Sequence, residues 1–563
     1  MYAKHIYDGL IRNNVQNMFI YSGGAIMSLI DKIDNKINYY INNHEQNCGH
    51  AATGYAKSTG QTGVCIVTSG PGLTNMITPM LDATNDSTPL LVLSGQVATN
   101  TIGTNAFQEC DAVNISKGVT KWSYLVKKND DPISLIDYAF KIANDGKKGT
   151  VHLDFPKDVL TSINEECKKI NTFNLNKTNI FNHNYNYKNI ADIINASDRP
   201  ILYVGQGCND SSDLLRVLAI KGNIPVTTTM HAMGSFDEYN ELSLKFLGMH
   251  GNPAANYAIQ NADTIIALGS RFDDRTTGNI KKYAPKVKTI IHVNIEQNEI
   301  NKVIKAHYPL NICCSIFCNK IIPYISYNKR SEWFNQINQW KENMPIRYDK
   351  SKKLKTQLVI EKINKHLKFL NKHYIITTGV GNHQMMACQY INWTQPKTFI
   401  SSGSLGVMGV GLPYAIGAQI GNPNKLVLDI DGDGSFNHTL GDLQTVSRYN
   451  LPIKIAIMND SSLSMVRAWE ELFFKKNYVA TDLPTNPNYS TLAKAYGIKS
   501  LICDNINDLD DVIFEMLNYK NAILVDFKVE KDLCMPLVPP GNGLDEMMFY
   551  HTIQNINNVS APS

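Results

Sequence analysis

The sequence predicts an α/β protein built from three doubly wound, parallel-sheet domains. Three observations carry this reading. The chain has 563 residues, too many for one hydrophobic core and enough for about three. Short apolar runs of strand length alternate with stretches whose apolar residues recur at helical spacing. Those runs end repeatedly in turns of Gly, Ser, Asp and Asn, where open parallel sheets carry their ligand-binding loops. The domains are expected over residues 1–163, 190–325 and 354–543.

The first segment opens on a strand, Asn17-Met18-Phe19-Ile20-Tyr21, that runs into Ser22-Gly23-Gly24-Ala25 and a helix over 26–33. Tyr39-Tyr40-Ile41 leads to His44-Glu45-Gln46-Asn47 and a helix of small residues over 49–60. Residues 63–68 read as a buried strand ending in Ser69-Gly70-Pro71-Gly72 at a helix N-terminus, and 89–93 as another strand. Taken alone, Glu45 reads as a loop carboxylate capping the helix after it. Residues 164–189 are Asn-rich without periodicity and read as a linker.

The second segment starts with the strand Pro200-Ile201-Leu202-Tyr203-Val204 and the turn Gly205-Gln206-Gly207, which falls short of a dinucleotide fingerprint. Further strands are expected over 225–229 and 264–268. Residues 326–353, charged and bearing Trp333 and Trp340, read as a helix and connection.

The third segment holds the most informative stretch. After a strand over 374–378 comes Gly379-Val380-Gly381-Asn382-His383-Gln384. The apolar run Leu426-Val427-Leu428-Asp429-Ile430 then ends in Asp431-Gly432-Asp433-Gly434-Ser435. Leu440, Leu443 and Val446 follow at helical spacing, and a second buried strand over 453–458 ends in Asn459-Asp460. Two strands of one crossover unit thus both finish in oxygen donors, with Asp433 and Asp460 27 residues apart. Hard cations such as Mg²⁺ take carboxylate and amide oxygens, usually alongside ligand phosphates. Gly432 and Gly434 allow a phosphate to approach the backbone, and the helix behind them offers its N-terminus. The pattern therefore predicts a Mg²⁺–diphosphate site.

Composition excludes several other classes. Net charge is +4, from 54 basic and 50 acidic residues, so no nucleic-acid or membrane-surface partner is expected. No apolar run is long enough to span a bilayer. Met1 leads almost directly into HIYDGLIRNN, without an apolar or Arg-rich leader. The 11 cysteines are scattered and read as reduced thiols of a cytoplasmic protein. Cys313, Cys314 and Cys318 cluster without a partner pair at zinc-site spacing.

The Gly432-Asp433-Gly434 stretch with Asn459-Asp460 resembles the diphosphate-binding motif of thiamine diphosphate enzymes, in which Asp433 and the residue at 460 hold the metal. That family usually has Asn where this chain has Asp460. His44-Glu45-Gln46, Thr68-Ser69-Gly70-Pro71-Gly72, Gly95-Gln96-Val97 and Gly103-Thr104-Asn105-Ala106-Phe107-Gln108-Glu109 are similar to the pyrimidine-binding domain of the acetolactate synthase family. Thr120-Lys121-Trp122 and Asp154-Phe155-Pro156-Lys157-Asp158-Val159 extend the likeness. Leu247-Gly248-Met249-His250-Gly251 and Gly269-Ser270-Arg271-Phe272-Asp273-Asp274-Arg275 resemble its central, FAD-binding domain.

The resemblance implies pyrimidine-binding, FAD-type and diphosphate-binding domains in that order. It implies thiamine diphosphate, Mg²⁺ and FAD as cofactors, with pyruvate and 2-ketobutyrate as substrates. Glu45 would contact N1′ of the aminopyrimidine, with Gln108 and Gly24 in the same catalytic set. Met408 would hold the cofactor bent, and Gly381, His383, Gly432, Gly434, Ser435 and Met465 would surround it. Asp433, Asp460 and the Ser462 carbonyl would bind Mg²⁺. Phe107, Lys157, Arg275 and Trp469 would line the substrate channel. Gly205, Gly207, His250, Gly251, Arg271, Asp273 and Arg275 would take FAD. Against that last expectation stand Asn294, where the family has an acidic residue, and Ile312-Cys313-Cys314-Ser315, where it has Gly-Asp. A homodimer or tetramer is implied, and a regulatory subunit is possible. The alternatives are an oxidase or decarboxylase of the same superfamily, or a drifted relative that binds cofactor without catalysis.

Overall fold

The computed structural model describes residues 1–163, 185–350, 353–370 and 372–550. The predicted linker over 164–189 lies outside them except at its end, where the helix Tyr187–Ala196 begins, capped by Asn186. The architecture is the predicted one: three parallel sheets of six strands each, flanked by helices.

The first sheet comprises β1 (Asn17–Ile20), β2 (Asn38–Ile41), β3 (Gly63–Val67), β4 (Leu90–Gln96), β5 (Trp122–Leu125) and β6 (Thr150–Pro156), in spatial order β2-β1-β3-β4-β6-β5. The second comprises β7 (Pro200–Val204), β8 (Val226–Thr228), β9 (Ser243–Phe246), β10 (Thr264–Leu268), β11 (Thr289–Asn294) and β12 (Tyr308–Asn311), ordered β12-β11-β10-β7-β8-β9. The third comprises β13 (Tyr374–Thr378), β14 (Phe399–Ile400), β15 (Leu426–Gly432), β16 (Lys454–Asn459), β17 (Lys499–Cys503) and β18 (Ile523–Lys528), ordered β14-β13-β15-β16-β18-β17. Strands β3, β4, β7 and β10 are buried at every residue, because helices cover both faces of a parallel sheet. In each sheet the chain winds first to one side and then to the other. The reversal leaves a crevice between β1 and β3, between β7 and β10, and between β13 and β15, where open α/β sheets bind ligands.

Two helices join the first and third domains. The first, α1 (Glu45–Thr59), starts at His44, whose Nδ1 accepts from the Gln46 N–H at 3.1 Å. The second, α2 (Gly411–Gly421), leads into β15. Small residues let their backbones nearly touch. A Cβ on Gly417 would lie 1.8 Å from the Ala51 carbonyl oxygen, and one on Gly54 would lie 2.4 Å from that of Tyr414. Around this contact one continuous core runs from Phe19, Cys65 and Val92 of the first sheet to Ile375, Val427 and Ile455 of the third. The middle domain keeps its own cores on either face of its sheet.

Several local expectations need correction. The helix expected over 26–33 is a single turn, Met27–Ile30; Asp34 beyond it binds the Tyr7 hydroxyl at 2.8 Å instead of extending the helix. Glu45 is the first residue of α1 rather than a loop residue, and His44 is the cap. Residues 541–546, expected at the end of the third domain, dock on the middle one. There the Asn279 N–H donates to the Asn542 carbonyl at 3.0 Å, and Gln260 Nε2 donates to Asp545 at 2.9 Å.

Candidate functional site

At the C-terminal edge of the third sheet, β15 extends through Gly432 and a one-turn helix, Asp433–Phe436, follows at once. Asp433 therefore projects from a helix start, buried, with β16 and Asn459-Asp460 alongside. Burial, and after it the neighbouring Asp460 carboxylate, pushes the Asp433 carboxyl up to about 6. Burial raises Asp460 as well. Asp460 Oδ1 accepts from the Ser462 N–H at 3.0 Å and the Ser462 hydroxyl at 2.8 Å, and its Oδ2 from the Ser464 hydroxyl at 2.6 Å. Ser461 between them adopts a left-handed backbone, φ 56°, which turns the chain back on the carboxylate. A buried and a half-buried carboxylate beside a turned backbone are a donor set that a hard divalent cation satisfies. Among the described residues no trio of His, Cys, Asp or Glu side chains forms a separate metal cluster.

The rest of the cradle surrounds this pair. His383 follows Gly381 at the end of β13, and its Nε2 lies 3.3 Å from Asp431 Oδ1. A Cβ on Gly432 would sit 2.7 Å from His383 Nδ1, so only glycine fits there. Ser435 Oγ accepts the Gly409 N–H at 2.9 Å, next to Met408. Gly434 packs on Leu463. Met465 and Trp469 lie on the helix Ser464–Phe473, both half-buried, with the Trp469 ring 5.2 Å from Phe473.

Sequence reasoning missed Asn486. Its amide donates to Asp433 Oδ2 and, at 3.4 Å, to Asn459 Oδ1, while its own oxygen takes the Asn437 amide at 3.1 Å. The signal available was Asn486-Pro487-Asn488 ahead of the helix Tyr489–Ala495, an ordinary turn until folding sets it beside β16.

The matching edge of the first sheet carries the other predicted residues. Glu45 is half-buried, and its Oε2 accepts from Asn75 Nδ2 at 3.0 Å. Gly24 is exposed, and a Cβ added there would meet nothing within 4 Å. Gln108 has a left-handed backbone, φ 62°, backed by Gly70. Glu109 accepts from the N–H groups of Gly103 and Ala106 and closes the turn that displays Phe107, which is 89% exposed. Lys157 is exposed at the end of β6. Among the described residues no hydrogen bond or ion pair joins Glu45 or Gln108 to the Asp433 cluster.

In the middle domain, backbones crowd where β7 and β10 end: a Cβ on Gly205 would lie 2.2 Å from the Gly269 oxygen, and one on Gly207 2.9 Å from Gly269 Cα. Among the described residues Thr228 Oγ1, Ser270 Oγ and His250 Nδ1 are buried atoms without a hydrogen-bond partner. Burial pulls His250 down to about 4. Orphaned polar atoms at such a crevice fit a polar cofactor. Gly251 is wedged against Leu247 and Gly248. Arg271 donates to the Asn85 carbonyl at 2.9 Å and to Ser404 Oγ at 2.8 Å, and lies 3.9 Å from Asp273. Arg275 is exposed, 3.7 Å from Asp274 and 3.2 Å from Met249 Sδ.

Comparison with known proteins decides among the readings. The thiamine pyrophosphate enzyme N-terminal binding domain matches residues 1–115, the central domain 187–321 and the C-terminal binding domain 379–527. The chain is 43% identical to the mitochondrial acetolactate synthase catalytic subunit of Saccharomyces cerevisiae, over 95% of this chain and 82% of that one. It is 39% identical to the mitochondrial acetolactate synthase of Schizosaccharomyces pombe, over 97% and 86%. It is 36% identical to the acetolactate synthase large subunit of Buchnera aphidicola subsp. Schizaphis graminum, over 97% and 98%. The chain belongs to the acetolactate synthase family. It is an enzyme of the thiamine pyrophosphate class. As an acetolactate synthase family member it joins its first and third sheets, which carry the two thiamine pyrophosphate-binding domains, through the α1–α2 contact.

Proposed function

We propose that this enzyme condenses two molecules of pyruvate, or pyruvate and 2-ketobutyrate, with loss of CO₂, supplying precursors of valine and isoleucine. The observation that carries the reading is the pairing of the Asp433–Asp460 site on the third sheet with Glu45 at the same edge of the first. When bound, thiamine diphosphate supplies the nucleophilic carbon through which the decarboxylated fragment passes to the acceptor keto acid.

Asp433, Asp460 and the carbonyl of Ser462 would hold Mg²⁺ beside the diphosphate. The positive end of the helix at Asp433 and the close backbone at Gly432 accommodate the phosphate oxygens. Glu45 would hold a proton at the pyrimidine N1′. Gln108 and Gly24 would border the reacting carbon, and Met408 would hold the cofactor bent. Arg275 takes the carboxylate of the second keto acid through its guanidinium fork, with Phe107, Lys157 and Trp469 bounding the channel.

Glu45 and Asp433 sit on different sheets, with no hydrogen bond or ion pair between them among the described residues, which supports a homodimer in which the first domain of one copy faces the third domain of the other. A tetramer is the dimer doubled. The catalytic-subunit and large-subunit names of the relatives support a regulatory partner. FAD belongs in the middle-domain crevice near Gly205, Gly207 and His250. The domains are drawn at 1–163, 190–325 and 354–543, the last extending onto the middle domain through its tail. Among the described residues no helix is long and apolar enough to cross a membrane. A reducing compartment suits the free thiols of the described residues; the cytoplasm is proposed, while the two fungal relatives are named as mitochondrial.

The test is acetolactate formation from pyruvate with thiamine diphosphate and Mg²⁺, with and without FAD. Turnover above the no-enzyme background supports the reading. Pyruvate consumed to acetate or acetaldehyde alone overturns it. A stoichiometric flavin absorbance in the purified protein checks the FAD assignment.

A further inference from the structure

Behind Met408 lies a buried polar junction in which all three domains meet. Asp82, on the helix Ile77–Asn85, and Asp86, just past it, come from the first domain and are wholly buried. Lys57 of α1 contacts Asp86 at 2.7 Å and donates to the Ser401 carbonyl at 2.6 Å. From the third domain, the Gly403 and Ser404 N–H groups donate to Asp86 at 3.1 and 2.9 Å. Ser402 Oγ donates to Asp82 at 2.6 Å, and the Tyr414 hydroxyl donates to the same carboxylate. From the middle domain, His231 Nε2 lies 3.1 Å from Asp86, Gln206 Nε2 donates to the Asp86 carbonyl at 2.9 Å, and Arg271 grips Asn85 and Ser404.

The junction reaches Met408 through one hydroxyl. Ser402 Oγ, while donating to Asp82, accepts the N–H groups of Gly406 and Val407, each at 3.0 Å. On the far side of Met408 the Gly409 N–H is held by Ser435 Oγ at 2.9 Å, and its carbonyl by Thr439 Oγ1 at 2.8 Å. Gly406 and Gly409 both have left-handed backbones, φ 73° and 82°. Met408 is thus slung between two pegs. One is fixed to the phosphate loop through Ser435, the other to the first and middle domains through Ser402 and the Asp82–Asp86 pair.

We propose that Ser402, Asp82 and Asp86 are positioning residues for the reaction. They set the height of Met408 against the phosphate loop, and so set how tightly the cofactor is bent. This rests on the thiamine diphosphate reading of the site. A side chain fixed to within a fraction of an ångström governs reactivity by orientation without touching the reacting atoms. The arrangement also gives the middle domain a route to the cofactor, because His231 and Arg271 brace the same loop.

The test is Ser402→Ala in the intact enzyme with thiamine diphosphate and Mg²⁺. Hydrogen–deuterium exchange at C2 of the bound cofactor, read by rapid-quench NMR, reports the bend without any keto acid. Exchange is expected to slow at least tenfold. kcat is expected to fall by the same factor, while the pyruvate KM stays within about twofold. Tyr414→Phe removes the other hydroxyl donor to Asp82 but leaves the Ser402 peg intact, and it should exchange within about twofold of wild type. Wild-type exchange in Ser402→Ala overturns the proposal, and so does equal slowing in Tyr414→Phe, which would mark the junction as packing alone. If Ser402→Ala does not yield folded protein, Asp86→Asn carries the same expectation and the same refutation. A wild-type enzyme that exchanges C2 but forms no acetolactate refutes the carboligation reading and leaves this one standing.

Discussion

Gly417→Ala should weaken the whole molecule by jamming the α1–α2 contact. The added methyl would lie 1.8 Å from the Ala51 carbonyl oxygen and 2.7 Å from the Tyr55 nitrogen. Ordinary contact needs about 3.4 Å, so the helices must part by roughly 1.5 Å. No rotamer change relieves this, because the opposing atoms are backbone. Overpacking of this kind costs about 1–3 kcal/mol or more. Against it stands the better helix propensity of alanine, about 1 kcal/mol. A net loss of about 2 kcal/mol corresponds to a fall in Tm of about 4–8 °C for a domain of this size. Differential scanning calorimetry would read it, with Gly118→Ala as control, since a Cβ there meets nothing within 4 Å. A Gly417→Ala protein melting within about 1 °C of wild type would refute the claim that this backbone contact limits how the first and third domains join.

Three further outcomes are expected. Glu45→Gln should fold and bind cofactor but lose acetolactate formation by about 10²–10⁴-fold; an undiminished rate would remove Glu45 from the chemistry. Asp460→Asn should lower Mg²⁺ affinity by about tenfold, since one of the two neighbouring carboxylates is gone; calorimetric titration with Mg²⁺ in the presence of thiamine diphosphate decides it, and unchanged affinity counts against Asp460 as a ligand. Burial pushes the Glu238 carboxyl up to about 8 from an ordinary 4.5, so the folded state favours the neutral acid. The stability this group contributes is fully present below about pH 4.5 and is lost as pH rises through about 8, at up to about 1.4 kcal/mol per pH unit. Glu238→Gln should therefore flatten the fall in Tm between pH 5 and 8.5, and parallel profiles for mutant and wild type would show that Glu238 is not held neutral.

The strands are legible in the sequence wherever burial is complete. Pro200–Val204, Thr264–Leu268 and Tyr374–Thr378 begin and end where their apolar runs do, because helices on both faces leave no polar position to blur them. The start of α1 is less legible. Gly49 and Gly54 count locally as breakers, and packing turns them into contact points, Gly54 against α2 and Gly49 against Pro79 and Met76. Asp433 and Asp460 stand out because a strand end and an acidic turn are consecutive in the chain. Asn486, Ser402 and the Asp82–Asp86 pair do not. Their meaning depends on partners 27 to 332 residues away, and no local pattern marks such a distance. Phe107 and Glu45 are visible as motif positions, yet their surroundings within one chain are only half of what their proposed roles require.

The shared core of the first and third domains has a consequence for synthesis. Helix α1 is complete at Thr59, but α2 begins only at Gly411, about 350 residues later. At about 5–20 residues per second, the ribosome takes roughly 20–70 seconds to deliver the partner helix. Throughout that interval the face of α1 around Ala51 and Gly54 lacks its α2 partner, while the rest of the helix packs on the first sheet and the middle domain is made. The nascent chain thus carries a small-residue stripe, on the side of α1 that will meet α2, until the third domain is made. A pause in translation near the start of the third domain would lengthen that exposure, and a chaperone that recognises short apolar helices has this stripe as its natural point of attachment.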